Sequence, residues 1–167
     1  MTVKIKWKGY DNVRHIYPRT HMIRYLLSSW GIPSYTYDGL TLLIEFCRPI
    51  ANQTECYGLY RGERDGVHHI QINSDLILHL NQWQELGPTG THELRHFAWH
   101  LTIPRDRYRL DKDGFLMHYP TAEEEIDCVR AEKNFRWIVG IDFETLPRES
   151  FRPRQKPRFR QLLLLAA

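Results

Sequence analysis

His92-Glu93-Leu94-Arg95-His96 sets two imidazoles four residues apart with a carboxylate between them, a spacing that becomes chemically useful only on a helix. There the two rings stack on one face about 6 Å apart and can hold one Zn²⁺ together. The surrounding residues agree with a helix. At about 100° per residue Leu94, Phe97, Ala98 and Leu101 gather on one side, while His92, Glu93, His96 and His100 gather on the other. The apolar group is expected to pack and the polar group to face a cleft. Gly87-Pro88 and Pro104 bound the segment, so the predicted helix runs from Thr89 to Thr102.

A metal centre of this kind takes a third protein ligand and keeps a fourth position for water. Glu93 would then take a proton from the metal-bound water and hand it to a leaving amine. His100 lies about 12 Å along the axis from His92, too far for both to reach one ion, and reads as a cleft residue. His118 could swing in from a loop. The remaining source is the run Glu123-Glu124-Glu125. Glu123 and Asp127 share a helix face, so Glu123 can meet the metal while Asp127 accepts the spare N–H of a ligating imidazole. Glu124 is the alternative one residue on.

The rest of the chain supplies a frame for that helix. Its 167 residues suffice for one domain with a core and a tail. Thr20–Trp30 has helical spacing, and Leu40–Arg48 reads as a buried strand. Tyr57–Arg61 and Val67–Asn73 flank Gly62-Glu63-Arg64-Asp65-Gly66 as a hairpin. In its second strand His68, Ile70 and Ile72 alternate with Val67, His69, Gln71 and Asn73. Asp75–Leu86 is expected to be a helix broken by Gly87-Pro88. Pro104–Pro120 is a long polar loop, and Thr121–Val139 a helix whose first turn carries three glutamates. The fold class is α+β: residues 1–147 form one domain, and 148–167 a basic Pro/Arg-rich tail with an apolar end.

HELRH followed on the next helix by EEEID resembles the gluzincin zinc metallopeptidases, which pair HExxH with a downstream ExxxD. The order of elements over Tyr57–Val139 is similar to the compact ImmA/IrrE and SprT-like members. The resemblance implies a compact zincin-like domain in which a small mixed sheet packs on the zinc helix and a following glutamate-bearing helix. It also implies a zinc-dependent endopeptidase acting on a protein or peptide. By position, His92 and His96 become ligands, Glu93 the general base, Glu123 the third ligand and Asp127 its supporting carboxylate. SprT-like members use a later His, for which His118 is the nearby candidate. Such enzymes add substrate as a strand at a sheet edge, here Val67–Asn73. Tyr119 and His118, ahead of Tyr108, are the candidate donors to a developing oxyanion.

Charge and cysteine usage bear on location and partners. The net charge of +3 is uneven: residues 148–167 carry six basic groups against one acid, +5, leaving 17 basic and 19 acidic residues, −2, before them. A nucleic-acid partner would therefore engage the tail. This motivates a second reading, a DNA- or protein-binding module on a zincin scaffold with a structural or latent metal site. Cys47, Cys56 and Cys128 lack metal or disulfide spacing and suggest free thiols. No run approaches the ~20 apolar residues that span a bilayer, and the N-terminus lacks a secretory pattern. The expected location is cytoplasmic.

Overall fold

A computed structural model describes residues 3–9, 13–47, 56–74 and 86–138, with side chains placed for all but 13–19 and 136–138. The fold is α+β. Strand β1 (Lys4–Lys8) leads into helix α1 (Val13–Ser29), a short helix α2 (Ser34–Tyr37) and strand β2 (Thr41–Cys47). A hairpin follows, β3 (Gly58–Arg64) and β4 (Val67–Asn73), then helix α3 (Leu86–His100). A 3₁₀ turn at Arg105–Arg107, the two-residue strands β5 (Arg109–Leu110) and β6 (Leu116–Met117), and helix α4 (Ala122–Ile138) complete the described order. No helix among these residues is long and apolar enough to cross a membrane. No disulfide forms among the described residues.

The strands form one mixed sheet in the order β1-β2-β4-β3-β6-β5. β1 and β4 both pair in parallel with β2, and β3 runs antiparallel to β4. Period-two burial sets its inner face: Leu42, Ile44 and Phe46 of β2 stand in register with His68, Ile70 and Ile72 of β4. Against that face pack Ile23, Leu26 and Leu27 of α1, Leu94, Phe97 and Ala98 of α3, and Phe135 of α4. The alternation expected for the hairpin's second strand therefore holds, with His68 on the buried side.

Four expectations change. α1 begins at Val13, with Pro18 inside the helix rather than ahead of it; proline's fixed φ is helical, and its cost is one backbone hydrogen bond. Gly87-Pro88 does not precede α3 but makes its first turn, where a missing N–H costs little. The loop at 104–120 is partly built: Asp111 Oδ1 accepts the N–H groups of Asp113 and Phe115, closing the β5–β6 turn. Finally, β4 is an interior strand, because its hairpin partner β3 folds outward on its free side. Val67–Asn73 is thus not the sheet edge. The predicted helix over Asp75–Leu86 lies, apart from Leu86, outside the described residues, as does the tail.

β3 is bulged between Tyr60 and Gly62, which inserts Arg61. Its guanidinium donates to Asp111 Oδ2 (2.9 Å) and Asp113 Oδ2 (2.7 Å) and lies over the Phe115 ring. The bulge thereby ties the β5–β6 hairpin to β3. Gly62 has φ +91°, and a Cβ there would run into the Leu116 carbonyl oxygen, so this position suits glycine. Phe97 is fully buried beneath Tyr60 and His68, with ring centroids 6.1 and 4.9 Å away. Phe97→Ala is expected to cost about 3–5 kcal/mol in urea unfolding. A loss under about 1 kcal/mol would contradict this placement of α3 on the sheet.

Candidate metal centre

α3 carries His92 and His96 one turn apart, and their Nε2 atoms face each other at 3.2 Å. What the opposite ring nitrogens do decides how to read that contact. His96 Nδ1 lies 2.7 Å from Glu124 Oε1, and His92 Nδ1 lies 3.2 Å from Glu132 Oε2. A carboxylate accepts only, so each Nδ1 carries the proton and donates it. With one proton on each ring both Nε2 atoms present lone pairs to one another; a metal ion between them, or a second proton on His96, satisfies that contact. Two nitrogens on one tetrahedral ion with bonds of 2.0–2.1 Å would be about 3.3 Å apart. The observed spacing fits.

Two more groups complete a donor set. Glu125 oxygens lie 3.6 Å from both His92 Nε2 and His96 Nε2, and Cys128 Sγ lies within 4.8 Å of a ring nitrogen of each. His92, His96 and Cys128 here form a group that could hold a metal ion. With no ion bound, burial, followed by the charges of Glu124, Glu125 and Glu93, raises the Cys128 thiol far above the ordinary range. Glu125 is half exposed and lines the cleft in front of the imidazoles, a space of about 270 Å³.

Glu93 turns from the same helix toward β3. Its Oε2 accepts the Tyr60 backbone N–H at 2.6 Å, and the carboxyl is buried. Burial pushes its pKa up to about 7, against the pull of His96 and that N–H. Gly58 makes the approach possible: a Cβ there would lie 2.6 Å from Thr89 Cγ2 and 2.8 Å from Glu93 Cγ. Burial alone would raise Glu124 too, but hydrogen bonds from His118 and His96 hold it down to about 2. His96 moves the other way. Burial lowers it, yet Glu124 and the charges of Glu93 and Glu125 leave it raised.

The expected set is brought together only in part. His92, Glu93 and His96 converge as the motif implies, but Glu123 is exposed on α4, away from the imidazoles. Asp127 Oδ2 accepts from Arg95 Nε (2.7 Å) and Trp99 Nε1 (2.8 Å), not from a ring of the pair. The reason is helical phase. Glu124, Cys128, Ala131 and Phe135 form the buried stripe of α4; Glu125 and Glu132 flank it on one side, Glu123 and Asp127 on the other. His118 does reach the cleft, but its Nε2 donates to Glu124 Oε2 at 2.8 Å. It braces that carboxylate and has no N–H left on that side for an oxyanion. Tyr119 is 78% exposed and does not line the cleft, while the Tyr108 hydroxyl donates to the His100 carbonyl. Sequence reasoning included Glu125 in the acidic run but chose Glu123, and it missed Glu132. The buried spacing 124, 128, 131, 135 was the signal that could have found them.

The two flanks of α4 should separate by mutation. Glu132→Gln is expected to weaken metal affinity about 10–100-fold, read by competition with a chromogenic chelator. Asp127→Ala should leave affinity unchanged and lower stability by about 1–3 kcal/mol, because Arg95 and Trp99 lose their acceptor. The reverse pattern would mean that the imidazoles are oriented from the other flank. No family model, curated protein or solved structure matches the chain.

Proposed function

We propose that the chain is a zinc-dependent metallopeptidase with a zincin-like arrangement of sheet, metal helix and glutamate-bearing helix. The observation that carries this reading is the pair of Nε2 atoms of His92 and His96 facing each other at 3.2 Å, each ring held by a carboxylate at its Nδ1, with a buried acid between them in sequence. His92, His96 and Glu125 would hold the ion. Glu125 replaces Glu123 here, since only the former reaches the rings.

When bound, zinc lowers the pKa of its water to about 7 and polarises a carbonyl oxygen. Glu93 is suited to move the proton. Its Oε2 is anchored by the Tyr60 N–H, which leaves Oε1 to take a proton from the attacking water and return it to the departing nitrogen. A carboxyl poised near neutrality both accepts and releases a proton readily.

The sheet edge supports a peptide substrate. Among the described residues β3 meets β6 at one register position, Glu63 opposite Leu116, so Gly58–Tyr60 has no strand on its outer side. Those three residues line the cleft beside His92 and Glu93. An extended peptide lying there, its backbone meeting edge groups other than the Tyr60 N–H held by Glu93 and the Gly58 carbonyl held by Cys56, would run past the metal ligands, with β3 taking the role expected of Val67–Asn73. Glu93→Gln should retain zinc, measured by elemental analysis, and slow cleavage of a denatured protein about 10²–10⁴-fold, followed by mass spectrometry. Undiminished cleavage by this variant would overturn the mechanism. Wild-type protein that takes up no zinc would overturn the site.

A further inference from the structure

His100 continues the histidine stripe of α3 one turn beyond His96, and the centre just described does not use it. It is 1% exposed, and its Nε2 has no hydrogen-bond partner. An unpaired polar atom in a buried position is costly unless something meets it. Its neighbours fix which form of the ring is present. Glu124 Oε2 requires a proton on His118 Nε2. In the single-proton form of His118, Nδ1 offers a lone pair to His100 Nδ1, 3.4 Å away, which then carries the proton. His100 Nε2 is left as a bare lone pair.

Two further donors stand around that ring. One ligand atom each from Glu63 on β3, His68 on β4 and His100 on α3 lie within 4.8 Å of one another. His68 Nδ1 sits 2.9 Å from the Tyr60 hydroxyl oxygen, which can accept the ring proton and so leave Nε2 for an ion. Glu63 is half-buried and brings the one negative charge of the three.

We propose that Glu63, His68 and His100 form a second metal site, for a divalent ion of the zinc class. Two imidazoles and a carboxylate suit zinc, and a deep position shared by three elements suits an ion that holds them together. The site would staple β3 and β4 to α3 next to the cleft. The path from His100 through His118 and Glu124 to His96 joins it to the first centre through outer hydrogen bonds.

Zinc counting tests this directly. Protein stripped with a chelator, reloaded with Zn²⁺ alone and desalted is expected to hold two ions per chain by elemental analysis. Glu63→Gln, at a half-buried position, and His68→Gln, in the core, should each hold one, as should His92→Ala. Circular dichroism of each variant identifies any loss of zinc caused by unfolding, and Glu63→Gln carries the result if His68→Gln fails to fold. A wild-type count of two that survives in folded Glu63→Gln overturns the second site. So does a single wild-type ion that His92→Ala removes, which leaves the first centre standing. A single wild-type ion that persists in His92→Ala but is lost in Glu63→Gln supports the second site and overturns the first.

Discussion

One fully buried carboxylate, Glu124, holds the site together. It accepts from His96 on α3 through one oxygen and from His118 in the loop after β6 through the other. An isolated carboxylate taken out of water costs many kcal/mol, so its position is stable only with both donors in place. That demand runs in both directions. Glu124 fixes the proton-bearing nitrogen of both rings, which directs the opposite nitrogens of His96 and His118 toward His92 and His100. It also sets the phase of α4, and with it the choice of Glu125 and Glu132 as the acids beside His92.

The second constraint comes from the sheet. β3 turns outward from β4, its bulge at Arg61 holds the β5–β6 hairpin against its far end, and its near end stays open. The bare backbone of Gly58 lets Glu93 approach closely enough to take the Tyr60 N–H. A helix that supplies two imidazoles and an acid is thereby pressed against a strand edge that has no strand beside it among the described residues. That juxtaposition, more than the motif alone, is what favours an extended peptide over a small molecule.

Much of this was legible in the residues. The spacing of HELRH, the alternation of His68, Ile70 and Ile72, and the glutamate-led helix all correspond to elements of the fold. The choice among Glu123, Glu124 and Glu125 was not legible from the i, i+4 pairing of Glu123 with Asp127. Any two residues so spaced share a face; which face is inward depends on Cys128, Ala131 and Phe135 meeting the core. Likewise, pairing β3 with β4 was predictable from the Gly-rich turn. Which of the two would face outward was not, because that depends on β2 pairing with β4 in parallel across a long stretch of chain. The isolated nitrogen of His100 could not be read from sequence at all, since it follows from hydrogen bonds made by His118 and Glu124.

The central claim is that inward imidazole nitrogens and a carboxylate, not a thiolate, hold a zinc ion in the cleft. X-ray absorption at the zinc edge of the reloaded protein reads this directly. The account predicts a shell of nitrogen and oxygen at about 2.0–2.1 Å with imidazole scattering behind it and no sulfur. A sulfur shell near 2.3 Å would put Cys128 on the metal, and an absence of imidazole scattering would remove His92 and His96 from it. Either result would contradict the account.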